Sequence, residues 1–131
     1  MDIKKHIFRA YDIRGIYPND LNEGTFLLIG QALGKRITEN STTPKVCVCM
    51  DGRVSGPTLK RSLIKGLTKM GVDVIDIGML PTPLLYYSLQ KLNIDNGLMI
   101  TGSHNPAKYN GIKMVINKKT LFDDHILNMV I

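Results

Sequence analysis

The sequence has no tryptophan, three phenylalanines and two cysteines, and no run close to the roughly 20 consecutive apolar residues of a membrane span. Its 17 basic residues are scattered and are not interleaved with aromatics, so nothing builds a stacking platform for nucleic acid. Two thiols cannot complete a four-ligand zinc site, and no second Cys or His pair lies at finger spacing. Cys47 and Cys49 stand at i and i+2 in Val46-Cys47-Val48-Cys49-Met50, on one face of an expected strand, and read as small buried hydrophobes in a reducing compartment. The start, Met1-Asp2-Ile3-Lys4-Lys5-His6, has no apolar h-region behind it, and a cytoplasmic location is expected, with no membrane partner. Internal repeats and low-complexity segments are also lacking.

What is present suits one globular domain over residues 1–131, with 44% hydrophobic residues available for a core. The net charge of +6 suits anionic partners, either nucleic acid or a phosphorylated small molecule, and charge alone does not choose between them.

The order of elements is legible from periodicity. Residues 7–17 read as a short strand running into the turn Pro18-Asn19-Asp20. Phe26, Ile29, Leu33 and Ile37 repeat at helical spacing, giving a helix over 22–39. Lys45 to Met50 is a strand, and Asp51-Gly52-Arg53-Val54-Ser55-Gly56-Pro57 is a loop that opens a helix lined by Leu59, Leu63, Leu67 and Met70 and closed by Gly71. A strand over 72–77, a loop over 78–83, a helix over 84–92 and a strand over 97–100 follow. Ile112 to Ile116 forms another strand, with Lys113 on the face opposite Ile112 and Met114, and 117–120 is a turn. A last helix begins near Asp123 and stops uncapped at Ile131, so the chain reads as cut from a longer one. Strands alternating with helices argue for an α/β layer sandwich with mainly parallel strands. Ligands in such sheets gather beyond the carboxyl ends of the strands, where the Asp51, Gly78 and Ser103 loops would lie.

The chemistry concentrates in Thr101-Gly102-Ser103-His104-Asn105-Pro106. A hydrolase elbow, Gly-x-Ser-x-Gly, is absent, adjacent Ser103 and His104 point apart, and nothing brings His6 or His125 near. A serine that carries a phosphoryl group fits better. A phosphoserine brings roughly −1.5 to −2 charges and needs cations and N–H donors, for which Lys113, Arg14 and Arg9 are candidates. Gly102 lets the backbone approach closely and Pro106 stiffens the loop exit.

Five motifs in one order then resemble the first domain of the α-D-phosphohexomutases, in the phosphomannomutase/phosphoglucomutase branch. They are Phe8-Arg9-Ala10-Tyr11-Asp12-Ile13-Arg14-Gly15, Asp51-Gly52-Arg53-Val54-Ser55-Gly56-Pro57, Gly78-Met79-Leu80-Pro81-Thr82-Pro83, the serine motif, and Tyr109-Asn110-Gly111-Ile112-Lys113. The resemblance implies a three-layer α/β/α sandwich with a mixed, mainly parallel sheet. It also implies a phosphoserine at Ser103 that interconverts hexose 1-phosphate and hexose 6-phosphate, of mannose or glucose, through a hexose 1,6-bisphosphate that also serves as activator.

By the same resemblance Tyr11 and Arg14 face the substrate, His104 and Asn105 order the serine loop, Lys113 assists proton or charge transfer, and the Ser103 phosphate is one ligand of Mg²⁺. Arg53 is read as a loop brace on Asp51. The family's Asp-Gly-Asp-Gly-Asp metal loop, its sugar-reading loop and its C-terminal phosphate-binding domain are not in these residues. The partners expected are therefore a hexose phosphate and the remaining domains of the same enzyme, and the isolated chain is expected to turn over little or not at all. The alternative is a non-catalytic sugar-phosphate-binding or regulatory module.

Overall fold

The computed structural model describes residues 3–9 and 12–120, so Tyr11 and the helix expected from Asp123 lie outside the described residues. A 3-10 turn, Lys5–Ile7, leads to β1 (Asp12–Ile16). There follow α1 (Glu23–Glu39), β2 (Lys45–Met50), α2 (Gly56–Lys69), β3 (Asp73–Met79), α3 (Thr82–Leu92), β4 (Gly97–Ile100), β5 (Tyr109–Ile116) and β6 (Lys119–Thr120). The strands lie in the order β1-β5-β4-β2-β3, with β6 paired to β5. β2 is parallel to both β3 and β4, whereas β5 is antiparallel to β4, β1 and β6. Among the described strands only β5 runs against the common direction, which makes the sheet mixed and mainly parallel.

The connections explain the layers. The chain leaves β2 through α2 to β3 on one side, then returns through α3 to β4 on the other side of β2. Right-handed crossovers in opposite directions place their helices on opposite faces. Accordingly α1 and α2 cover one face, where Phe26, Ile29, Leu33, Leu59, Leu63 and Leu67 pack on Val46, Val48, Leu98, Ile100, Ile112 and Met114. On the other face α3 sets Leu85 and Leu89 against Cys47, Cys49, Met99 and Val115. This is a three-layer α/β/α sandwich. Both thiols are free and buried, and burial pushes Cys49 up to about 12.

The helices end where local chemistry dictates. Asn22 caps α1 in a capping box, its side chain accepting from Thr25 N at 3.1 Å while Thr25 Oγ1 accepts from Asn22 N at 2.9 Å. α1 and α2 cross closely because Gly30 and Gly66 face each other; a methyl group on Gly66 would overlap the Leu27 carbonyl.

The first strand is shorter than the expected 7–17, because the chain up to Ile7 winds into the 3-10 turn and β1 begins only at Asp12. Three further boundaries differ from the periodicity reading. α3 starts at Thr82, two residues early, because Pro81 and Pro83 occupy a helix cap and first turn where no N–H is needed. β3 runs on to Met79 because Gly78, at φ 84°, absorbs a register shift opposite Val48/Cys49 and the ladder resumes at Met50↔Met79. β5 starts at Tyr109, since Tyr109, Asn110 and Gly111 pair with Ile16, Gly15 and Arg14 despite their polar pattern. Within the 117–120 turn, Asn117 and Lys118 both have positive φ and return the chain into β6.

Candidate functional site

The carboxyl ends of β2 and β4 lie side by side at the centre of the sheet, where the crossovers reverse direction. Loops at such a point face a shared crevice. β2 delivers Asp51 and β4 delivers Thr101, and the two loops are joined at once: Thr101 Oγ1 donates to Asp51 Oδ2 at 2.7 Å and Gly102 N donates to the same oxygen at 3.2 Å. Thr101 Oγ1 also accepts from Ser103 N at 2.9 Å. The antiparallel strand β5 closes the other side, with Thr101 N donating to Gly111 O at 3.0 Å.

Ser103 itself has a left-handed backbone, φ 52°. For a residue with a Cβ this costs about 1–2 kcal/mol, so the surroundings must impose it. They do so through two arginines. From the β1 side, Arg14 Nη1 donates to Gly102 O at 2.8 Å and to Asn105 Oδ1 at 2.5 Å, while Nη2 pairs with Asp12. From the β2 side, Arg53 reaches the carbonyls of Ser103, Asn105, Pro106 and Tyr109 and keeps Nε on Asp51 Oδ2 at 3.2 Å. The Arg53 guanidinium lies against Gly102, where any Cβ would overlap it. Gly102 is therefore required by a neighbour 49 residues away in sequence. Ser103 Oγ has no protein hydrogen-bond partner among the described residues.

Gly111 answers a similar need, since a Cβ there would overlap the Ile13 carbonyl beside Arg14. Asn110, fully buried, donates from Nδ2 to Ser55 Oγ at 2.8 Å and so ties β5 to the start of α2.

The electrostatics follow from this packing. Burial draws the Arg14 guanidinium below its ordinary value, Asp12 works against that shift, and Arg9 and Arg53 add to it as neighbouring cations. Arg9 Nε lies 3.5 Å from Asp12 Oδ1. Lys113 stands opposite Asp12 in the β1–β5 ladder and opposite Met99 in the β4–β5 ladder, on the face that α3 only partly covers. Arg9, Arg14, Arg53 and Lys113 thus face two carboxylates, Asp12 and Asp51.

Of the residues the sequence singles out, the structure joins Arg14 to Asn105 directly, holds Ser103 between them through the Gly102 carbonyl and Arg53, and places Lys113 on the sheet face of Asp12 and Arg14. The His104 ring is exposed and makes no side-chain hydrogen bond among the described residues, so loop order comes from Asn105 and the arginines. Tyr11 falls outside them. Sequence reasoning paired Arg53 with Asp51 and missed its four carbonyl contacts, along with Thr101 and Asn110. The larger cavity, 460 Å³ near Leu89, Asn93 and Val115, is at the opposite end of the sheet from the serine loop. A 270 Å³ cavity lined by Tyr17, Ser55, Thr58 and Lys108 adjoins the loop's exit. Size therefore does not select the site, whereas the convergence of strand ends and cations does.

An α/β/α domain that carries a braced serine loop at the switch point of its sheet is the class these features define. The comparisons give that class its family. Residues 5–130 match Phosphoglucomutase/phosphomannomutase, alpha/beta/alpha domain I, and the chain belongs to that family. A phosphomannomutase/phosphoglucomutase of Pseudomonas aeruginosa is 48% identical over 120 residues, covering 92% of this chain and 26% of that protein. A phosphoglucomutase of Neisseria meningitidis serogroup B is 40% identical over 128 residues, covering 98% of this chain and 28% of that protein. A family crystal structure from Burkholderia thailandensis superposes with a TM-score of 0.91 at 39% identity over 98% of this chain and 30% of that one. The chain spans about a quarter of the length of the curated relatives it matches. No helix among the described residues is long and apolar enough to cross a membrane.

Proposed function

We propose that this chain is the phosphoserine-bearing domain, residues 1–131, of a longer phosphohexomutase acting on mannose or glucose phosphates. The observation that carries the reading is the Ser103 hydroxyl, without a protein partner among the described residues, on a loop held in a left-handed turn by two guanidiniums.

In the proposed reaction a free hydroxyl of the hexose phosphate attacks the phosphorus of phospho-Ser103. The new P–O bond forms as the P–Oγ bond breaks, the sugar hydroxyl gives up its proton, and Ser103 Oγ gains one. The hexose 1,6-bisphosphate turns over, and its other phosphoryl group returns to Ser103 by the same steps reversed. Such transfers depend on positioning and on charge stabilisation. Arg14 supplies charge from beneath the loop and acts through it, since its Nη groups are bonded to Gly102, Asn105 and Asp12. Lys113 is assigned proton or charge transfer, Tyr11 and Asn105 the substrate side, and His104 the outer rim of the loop. Hexose 1,6-bisphosphate is the expected activator, and the remaining domains of the enzyme, in the cytoplasm, complete the site. Without them the isolated chain has little or no turnover.

Magnesium enters through family likeness. No three carboxylate, histidine or cysteine side chains converge among the described residues. Asp51 and Asp12 already accept from Thr101, Gly102, Arg53 and Arg14. These residues do not make a magnesium site by themselves, and no step is derived through the ion; a phosphate on Ser103 is the ligand this chain is proposed to contribute.

Phosphopeptide mass spectrometry of the full-length protein, after incubation with hexose 1,6-bisphosphate and Mg²⁺, tests the proposal. Stoichiometric phosphate on Ser103 is expected. An active protein labelled elsewhere, with Ser103 unmodified, would sink it, and a protein that binds hexose phosphates yet neither turns over nor takes up label would favour a module that only binds sugar phosphates.

A further inference from the structure

We infer that Arg53 is the positioning residue of the serine loop, setting the orientation of Ser103 for phosphoryl transfer; the inference rests on the reading of Ser103 as phosphoryl carrier. Arginine has five N–H donors in a planar fork, and all five are used here. Nε goes to Asp51, Nη1 to Pro106 O at 2.7 Å and Tyr109 O at 3.1 Å, and Nη2 to Ser103 O and Asn105 O, both at 2.9 Å.

These acceptors run from the serine to the first residue of β5, so the whole loop takes its shape from one side chain. Asp51 holds that side chain, and Asp51 is in turn bonded to Thr101 and Gly102 at the loop entry. Entry, apex and exit therefore share one reference point. The guanidinium side chain is only 12% exposed, and Gly102 gives it room.

Two effects on the reaction follow. The left-handed turn at Ser103 is held against its intrinsic cost, so the hydroxyl keeps one direction whether or not it bears phosphate. Four carbonyl oxygens are also drawn toward a cation. Released, they would be free to turn toward a phosphate dianion on the neighbouring hydroxyl. A lysine cannot replace this arrangement: it carries a cation to Asp51, but its three donors diverge from one point and cannot span residues 103 to 109.

The test compares Arg53→Lys, Gly102→Ala and Ser103→Ala in the full-length enzyme. Arg53→Lys is expected to lower kcat on the order of 100-fold, the scale of a misplacement of about 1 Å. KM should stay within about threefold, as expected when ground-state binding is untouched. Transfer from phospho-Ser103 in a single turnover should slow by the same factor, while the thermal midpoint moves by only a few degrees. Gly102→Ala keeps both Arg53 and Asp51 but displaces the guanidinium, and carries the same prediction should Arg53→Lys not fold. A kcat for Arg53→Lys within about threefold of the parent overturns the inference, as does a loss that merely tracks the unfolded fraction, or failure of both variants to fold. A dead Ser103→Ala beside an unimpaired Arg53→Lys overturns this inference alone. Full activity in Ser103→Ala overturns the phosphoryl-carrier reading and this inference with it.

Discussion

The two faces of the sheet are built on different terms. Under α1 and α2 the contacts are apolar, and strands and helices interlock through Leu, Ile, Val and Phe side chains that are almost fully buried. On the other face α3 covers β2 and β4, and the β1–β5 side carries Asp12, Arg14 and Lys113, bonded or paired near the serine loop. The first face supplies cohesion, which is nondirectional and tolerates changes of detail. The second supplies directed bonds, in which a single missing donor leaves an acceptor stranded. The contrast explains why the serine loop can hold an unfavourable turn: the opposite face contributes the stability that offsets it.

The sharpest way to break that comparison is on the apolar face. Leu63→Ala should cost about 2–5 kcal/mol through lost burial and the cavity left behind. Leu63 is fully buried between the helices and the sheet. Denaturant unfolding should register the loss, while phosphoserine formation per folded molecule stays at the parental level. A loss of phosphorylation beyond the unfolded fraction would mean that the two faces are not separable.

On the polar face Thr101→Val should cost less, about 1–3 kcal/mol, because the shape is kept and only the hydroxyl's bond to Asp51 and the one it accepts from Ser103 N are lost. Here the pattern inverts, with single-turnover transfer from Ser103 falling more steeply than stability. Equal effects on both would contradict the division.

The thiols probe the α3 layer. With Cys49 pushed up to about 12, chiefly by desolvation, almost none of it is thiolate at pH 8, and burial raises Cys47 in the same direction. Alkylation should be slow in the native protein and rapid in denaturant; rapid native labelling would show that α3 opens readily.

The smallest effect lies at the surface. The Ile16 N–H holds Asp20 below its ordinary value of 3.8, with Lys4 and His6 contributing and burial opposing. A folded-state pKa below the unfolded one adds stability that is full above the unfolded value and is lost as pH falls through the folded one. Asp20→Asn should therefore cost a little stability at pH 7 and flatten the acid limb below about pH 4. An unchanged acid limb would remove Asp20 from that account.

The same contrast governed what could be read from the sequence. The spacing of Phe26, Ile29, Leu33 and Ile37 locates α1 to within a residue, because a helix on an apolar layer repeats its pattern locally. The alternation of strands and helices yields the layers for the same reason. The site was legible only in part. Ser103 and Arg14 are singled out by the chemistry of the serine motif and Asn105 by motif resemblance, yet the Arg53 cage depends on contacts across about 50 residues, and no local period encodes them. Asn110 and Gly111 interrupt the apolar pattern of β5 because one bonds Ser55 and the other yields to the Ile13 carbonyl. Their polar and small character hid three residues of a strand.

The most direct measurement is turnover per folded molecule in the full-length enzyme carrying Ser103→Ala, with Leu63→Ala measured alongside. The arrangement predicts a Ser103→Ala protein of near-parental melting temperature whose turnover is lower by about 1000-fold or more, on the scale of losing a nucleophile. Leu63→Ala, in contrast, should melt earlier and turn over normally. Parental turnover in Ser103→Ala would contradict the assignment of chemistry to the serine loop.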